Sequence, residues 1–306
     1  VSRPAAVAAA PNTAATTPPD NVRRAILYMM YAAALIPLLN ASAKYLTANY
    51  SVVEIAWARY AGHFFYMLAV FAPRRGPRLL VTSRPVLQLV RSSLLFASTA
   101  IYFSALGYIP LVTAAAISFM SPFIVTALAP LVLGEKVGLR RWVSVALGFA
   151  GAMVVIRPGT SAVNAAALLV FASATSSALY QLLTRKLAAH DPAETSITYI
   201  ALAGFLLASV ALPFTWKTPE TLLDFSLFIA LGLFGGFGHY FMVRAYELAP
   251  APLIAPFNYA QLIGSLILGV AVFGQFPDLW TCVGAAMIVG TGIYLLLREG
   301  RRRKPA

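Results

Sequence analysis

The chain has 306 residues, 60% of them hydrophobic and 11% charged, and a net charge of +13. Soluble domains average about 45–50% apolar and about 25% charged residues because their surface faces water, so this composition excludes that class and fits a chain whose outer surface faces lipid. The basic residues fall between apolar runs, which argues for loops of a membrane protein rather than nucleic acid as a partner, and the single cysteine, Cys282, excludes an intrachain disulfide or a Cys-rich metal site.

Residues 1 to about 22 are rich in Ala, Pro and Thr without apolar periodicity, which predicts a disordered tail. Ten apolar segments follow, each near the ~20 residues a spanning helix needs: 25–47, 51–72, 85–107, 111–133, 139–157, 164–188, 193–215, 222–248, 252–273 and 278–297. Breakers such as Pro73, Gly76, Pro110, Gly134, Gly138, Pro158, Pro192, Pro219, Pro250 and Pro277 separate them. Arg23 and Arg24, the first apolar run and Ala41-Ser42-Ala43 have the layout of a signal peptide. Removing that segment leaves nine helices and breaks the repeat described below, so it is counted as the first crossing.

With a cytoplasmic N-terminus and alternating helices, 18 of the 23 Lys and Arg residues fall on the cytoplasmic side. Lys44, Arg157 and Lys217 fall on the other, and Arg59 and Arg91 lie inside helices. This bias predicts a multi-pass protein of a bacterial-type inner (plasma) membrane with both termini cytoplasmic.

The two halves resemble each other at an offset of about 140 residues. Glu54 matches Glu194, Ala105 and Pro110 match Ala245 and Pro250, and Gly134 matches Gly274. Each half holds five helices, an odd number, so the second enters the membrane from the opposite side. The expected fold is all-α: ten transmembrane helices as two inverted five-helix repeats around a central cavity. The chain divides into a tail (1–22), a first repeat (23–158), an inverted second repeat (159–298) and a basic cytoplasmic tail (299–306). Inverted repeats are the usual hardware of alternating access, with the solute near the midplane between halves.

The stretch SFMSPFIVTALAPLVLGEKVGLRRWVSVALGFAGAMVVIRPG at 118–159, with its weaker echo at 258–297, resembles the EamA-type members of the drug/metabolite transporter superfamily. Within it, the chain is similar to the YddG type of aromatic amino-acid exporter. The resemblance implies a basket of helices in which the first, third and fourth of each half line the cavity and the fifth lie at the periphery. Relatives often carry cavity-facing Trp on the first, fourth and sixth helices. Here the corresponding places hold Leu39–Asn40, Ser121 and Ser177, which suits a wider or more polar site.

Polar residues inside a membrane are costly and are functional candidates by default. Arg59 and His63 share a face of the second helix; they are an anchor for a substrate carboxylate, a proton relay, or a structural tie between helices. Glu54 and Glu194 read as helix-start residues complementing the dipole. Ser98, Thr99 and Tyr102 form one stripe of the third helix, and His239, after the glycines of GLFGGFG, is the repeat mate of Thr99. Phe119 and Ser121 on the fourth helix match Tyr259 and Gln261 on the ninth, and Ser118 matches Asn258. Ser177, Tyr180 and Gln181 on the sixth helix and Asn40 on the first complete the substrate-binding set, with ordinary interhelical hydrogen bonding as the alternative. Arg91, near the cytoplasmic end of the third helix, can snorkel. Prolines at 37, 122, 130, 250, 252 and 256 are candidate bending points.

There is no GxSxG, HExxH or P-loop motif, so no enzyme activity, no metal and no cofactor is expected. The expected function is export of amino acids, aromatic and other neutral ones, with the lipid bilayer as surroundings. The alternative is a multidrug or other metabolite (nucleoside or sugar-phosphate) carrier of the same fold. A cation carrier needs a buried acid, for which Glu54 and Glu247 are the candidates. The Gly-rich fifth and tenth helices serve either a dimer or packing within the chain.

Overall fold

The computed structural model describes residues 19–158, 163–187 and 190–302. Most of the expected N-terminal tail, residues 159–162 beside the junction of the halves, and the end of the basic tail lie outside the described residues. The first half consists of α1 (Pro19–Leu46), α2 (Val52–Arg75), α3 (Pro85–Leu106), α4 (Leu111–Ser118), α5 (Ser121–Leu133) and α6 (Leu139–Ile156). The second consists of α7 (Val163–Leu187), α8 (Ala193–Ala211), α9 (Leu222–Leu248), α10 (Ala251–Asn258), α11 (Ala260–Phe273) and α12 (Leu279–Arg302). Residues 19–22, expected in the tail, and 299–302, expected in the C-terminal tail, are helical instead.

Among the described residues, nine spans are long and apolar enough to cross a membrane. The tenth crossing is α2, whose 24 residues are long enough at about 1.5 Å each, but Glu54, Arg59 and His63 dilute its apolar character. The protein is an all-α membrane protein built from two inverted repeats.

Two crossings expected to be continuous are interrupted. α4 passes into α5 through a turn at Phe119 and Met120, and α10 into α11 at Tyr259. Pro122 has no N–H to offer the Ser118 carbonyl, and the preceding turn tightens. The Phe119 N–H is shared between the Ala115 and Ala116 carbonyls (3.3 and 3.2 Å), and Met120 donates to Ile117 at 2.9 Å. At the equivalent place Tyr259 donates three residues back to Pro256 at 3.2 Å. Both crossings end on glycines at repeat-equivalent positions, Gly134 (φ 69°) and Gly274 (φ 62°), whose left-handed backbone suits a residue without Cβ.

The packing between halves is itself inverted. α1 lies chiefly on α9 and α11, and its mate α7 lies on α3 and α5; α2 meets α9 as α8 meets α3; α6 meets α12. One backbone-to-backbone approach joins α2 to α9. A Cβ at Gly232 would lie 2.6 Å from Gly62 Cα and 3.2 Å from the Ala58 carbonyl, so the backbones touch. Similarly a Cβ at Gly264 on α11 would meet the Pro37 ring of α1 at 2.8 Å. With no hydrophobic drive between helices in lipid, such close contacts through small residues hold helices together. Gly151 and Gly284 serve the α6–α12 contact in the same way: a Cβ on Gly284 would come within 2.6 Å of the Gly151 carbonyl. These two glycines thus serve packing within the chain.

Polar pins tie the halves at both membrane faces. At the α1–α2 end, Tyr50 donates to Asp224 at 2.9 Å and accepts from the Glu220 N–H at 2.9 Å. Glu54 does more than complement a helix dipole. It closes a capping box with Ser51 and also accepts the backbone N–H of Lys217 from the other half. At the opposite face Asp191 accepts from Thr82, Ser83 and Gln88, and Arg75 pairs with Glu194 at 2.8 Å. The repeat mates Glu54 and Glu194 therefore reach into the other half at opposite faces. Lys44, counted among the charges of the non-cytoplasmic side, is buried, and its ammonium donates to the carbonyls of Leu106, the last residue of α3, and of Ile109 (2.7 Å) just beyond it.

Arg91 departs from expectation. It is 1% exposed and does not snorkel. Its guanidinium donates to Thr184 Oγ1 at 3.2 Å and to the Ser196 carbonyl, and lies over the Tyr180 ring at 5.4 Å. It is the polar pin of the α3–α7–α8 junction. The reason is positional: the α2–α3 and α7–α8 loops fold over this end of α3, through Asp191, and close the route by which a long side chain would reach water.

Two outcomes are expected. Gly232→Val forces α2 and α9 apart, costing about 1–3 kcal/mol or more, and lowers the thermal unfolding midpoint of the detergent-solubilised protein; Gly290→Ala, whose methyl meets open space, leaves it unchanged. Burial raises the Asp191 pKa, but hydrogen bonds from Thr82, Gln88 and Ser83 outweigh it and hold the carboxyl below its usual range. Its stabilisation is thus present above the ordinary carboxylate value of about 3.9 and is lost as pH falls through the lower folded value. Asp191→Asn lowers the neutral-pH midpoint by about 2–4 °C and removes that acid limb from a midpoint-versus-pH curve.

Candidate functional site

The two helix interruptions face each other. Phe119 and Tyr259, repeat mates 140 positions apart, meet with ring centroids 4.7 Å apart and planes inclined by 34°. Each ring sits where its helix has lost regular backbone bonding, so the pair marks the place where broken crossings of both halves converge. Polar side chains flank it. Gln181 on α7 donates to Ser121 at 2.7 Å and reaches Ser177 at 3.5 Å. Across the α10–α11 interruption, Gln261 donates to Asn258. The Gln181 and Gln261 carbonyl oxygens, the Asn258 amide N–H groups and the half-buried Asn40 side chain have no hydrogen-bond partner among the described residues. Unspent donors and acceptors beside an aromatic pair can orient a polar solute while its apolar part stacks.

A second group gathers on α2, α3 and α9. His63 is 5% exposed, and its ring lies 5.7 Å from that of His239 in the other half. Arg59, one turn before His63, donates to Thr99 at 2.8 Å, and its guanidinium lies 5.3 Å from the Tyr60 ring and 5.7 Å from the Phe103 ring. Tyr60 and Thr99 share a hydrogen bond of 2.9 Å. His239 Nδ1 lies 3.2 Å from the Gly235 carbonyl. Gly235 lets these groups converge, since a Cβ there would sit 3.3 Å from Arg59 Cγ and 3.2 Å from Leu39 Cδ1. The repeat mates Thr99 and His239 thus both belong to one cluster. Arg59 is not tied to Glu54, whose carboxylate is held by Ser51 and Lys217.

Of the remaining candidates, Tyr102 faces Ser118 beside the α4–α5 interruption, while Ser98 and Tyr180 hold helices together. Ser98 exchanges hydrogen bonds with Ser173, 2.9 Å to its carbonyl and 2.7 Å in return, and so clamps α3 to α7. Tyr180 turns its ring to Arg91. Tyr102 is buried beside Phe103, rings 6.4 Å apart. Ser173 and Tyr60 were not singled out from the sequence. The Ser173 clamp has no sequence signal, whereas Tyr60 adjoins Arg59 and its partner Thr99 is the mate of His239. Glu54 and Glu247, the acids a cation carrier would use, are engaged at helix ends: Glu54 as above, Glu247 with Arg244 at 2.6 Å.

Comparison with known proteins agrees with this architecture. Residues 23–157 and 164–298 each match the EamA-like transporter family. The S-adenosylmethionine uptake transporter of Rickettsia prowazekii (strain Madrid E) is 30% identical over 262 residues, covering 84% of this chain and 86% of that protein. The riboflavin transporter of Rhizobium johnstonii is 31% identical over 284 residues, 92% of this chain and 93% of that protein. A solved protein crystal structure superposes with a TM-score of 0.64 at 20% identity, covering 92% of this chain and 99% of that one, and so shares the fold. Two family-matching halves, inverted and packed face to face in the membrane, make this chain a member of the EamA-like transporter family, a multi-pass membrane transporter of the drug/metabolite superfamily.

Proposed function

We propose that the chain carries, by alternating access, small solutes that join a flat ring to an amino-acid head, aromatic amino acids among them. The observation that carries this reading is the Phe119–Tyr259 pair at 4.7 Å. It unites the halves at their interrupted helices, so relative motion of the halves separates or rejoins the two rings. A flat ring entering between them exchanges one stacking contact for two. Asn40, Ser121, Gln181, Asn258 and Gln261 then supply hydrogen bonds for a polar head. The relatives support the ring requirement: S-adenosylmethionine joins a purine to an amino-acid head, and riboflavin is a flat fused ring. The small residues at Leu39–Asn40, Ser121 and Ser177 favour solutes larger than a single amino acid as well.

Direction is separate from cargo. Inverted halves can expose the site to either face, so export, the direction implied by the family resemblance, needs only a higher concentration of the solute inside. The cytoplasmic placement of both termini belongs to the same proposal and rests on the loop charges.

The test is flux into proteoliposomes of the purified protein with radiolabelled L-phenylalanine, L-tryptophan, L-methionine, L-threonine, S-adenosylmethionine and riboflavin. Saturable flux of the ring-plus-head solutes is expected, with L-threonine the poorest. Phe119→Ala and Tyr259→Ala each lower it about two- to twelvefold, from roughly 0.5–1.5 kcal/mol of lost aromatic interaction; Trp142→Ala, on an exposed face of α6, leaves it unchanged. Flux of L-threonine equal to that of L-tryptophan, or full flux in both ring variants, overturns the reading.

A further inference from the structure

The aromatic pair leaves the cluster on α2 and α9 without a function. Arg59, inside the α2 crossing, has partners that are all neutral: Thr99, Tyr60 and Phe103. The acids of these two helices are engaged at their ends, Glu54 with Ser51 and Lys217, Asp224 with Tyr50 and Thr221, Glu247 with Arg244. The other titratable or charged groups on surrounding elements are few. α2 contributes Tyr60 and Tyr66, α9 contributes Tyr240, whose ring lies 6.3 Å from that of Tyr66, and α3 contributes Tyr102 and the pinned Arg91. α1 presents Leu35, Ile36 and Leu39 to this stretch of α9, with Lys44 bound further along. α8 has Tyr199, bound to Leu80, and Glu194, paired with Arg75.

A guanidinium and two imidazoles therefore meet within the membrane with no counter-anion among the described residues. The fold does not require them. At the repeat offset of 140, Arg59 corresponds to Tyr199, His63 to Ala203 and His239 to Thr99, and the equivalent helices α8 and α3 form without a guanidinium or imidazole at those positions. A part-buried cation inside a membrane crossing, held only by neutral partners, is costly, and an oxyanion entering between Arg59 and the histidines supplies the missing charge. A proton added to either imidazole without an anion places two positive charges side by side in apolar surroundings. With the anion present, that proton completes a second charge-assisted hydrogen bond.

We infer that Arg59, His63 and His239 form an oxyanion site that takes the carboxylate of the cargo together with one proton. This rests on the reading above that the cargo carries an amino-acid head. Loading forms one N–H bond on an imidazole nitrogen with a proton from the medium; release on the other side breaks it, and no covalent bond to the solute is made. Proton and carboxylate each strengthen the binding of the other by the same factor. Where protons are more abundant outside, this coupling drives inward movement, opposite to the export expected from the sequence.

The experiment is calorimetric titration of the purified full chain with L-phenylalanine and with S-adenosylmethionine, in buffers of different ionisation enthalpy, from pH 6.5 to 8.5. The carboxylate-free 2-phenylethylamine is the control. Wild type is expected to take up about one proton per carboxylate bound, with affinity falling about tenfold per pH unit as pH rises. His63→Gln and His239→Gln bind without the full proton uptake and with a flatter pH profile, Arg59→Gln loses the carboxylate probes, and 2-phenylethylamine brings no proton. Carboxylate bound by wild type with no proton taken up overturns the inference and leaves the proposed cargo standing; that arm needs no variant to fold. Full proton uptake in the His63→Gln, His239→Gln double variant also overturns it. If neither carboxylate probe binds while riboflavin is carried, the cargo class is wrong and this site falls with it.

Discussion

The contact between Gly62 and Gly232 sets the geometry on which the rest depends. It is backbone against backbone, because a Cβ on Gly232 would stand 2.6 Å from the opposing Cα. It brings the second helix of one half against the third helix of the other more closely than any pair of larger residues permits. His63 follows Gly62 directly, and His239 lies two turns beyond Gly232, so the separation fixed by the glycines carries over to the imidazole rings at 5.7 Å. Gly235, one turn on, leaves room for the Arg59 stem beside Leu39. In lipid, where apolar surface gains nothing by leaving solvent, close packing is what remains to hold helices together. Here the same packing assembles the cluster.

The mate of this junction is made differently. Where α2 and α9 touch through glycine, α3 and α8 are joined by Arg91, buried and donating to the Ser196 carbonyl, with Gln88 bridging Asp191 and Ser196. The inverted repeat thus keeps the arrangement of helices while exchanging the chemistry of its contacts. A backbone contact tolerates sliding and tilting, because it has no directional bonds to break. A buried guanidinium with directional bonds resists both.

Much of this could be read from the amino-acid sequence, because lipid imposes long apolar helices and turns announce themselves by Pro and Gly. The repeat offset located Phe119 and Tyr259 as mates, and Pro122, one of six candidate bending points, stands at the first interruption. The second was not legible, since position 262 is Leu where the first half has Pro122, and the tightened turn lies at Tyr259 itself. The fate of individual polar residues was legible only where it is local. Ser51 and Glu54 form a capping box within three residues, but the bond from Lys217 to Glu54 spans 163 positions. Arg91 looked free to reach water because Asp191, through which the α7–α8 loop closes over it, is about 100 positions away in sequence. Arg59 suited a carboxylate anchor, a proton relay or a structural tie between helices; its bond to Thr99 and the engagement of the α2 and α9 acids elsewhere depend on contacts remote in sequence.

The two candidate groups differ in symmetry, and that difference bears on how such a carrier acquires specificity. The Phe119–Tyr259 pair joins repeat mates on the axis between halves. Any solute with a flat ring can use it from either side, and a symmetric contact cannot distinguish one end of a solute from the other. The Arg59–His63–His239 set has no guanidinium or imidazole counterpart at Tyr199, Ala203 and Thr99. It offers the charged end of a solute only one place to go. In the proposed reading, a symmetric feature serves motion and an asymmetric one serves selection. Changes in the asymmetric cluster can then alter cargo without disturbing the gate, because the halves are held together through Gly62, Gly232 and Gly264 and through the pins at Glu54, Asp191 and Arg91 rather than through this cluster.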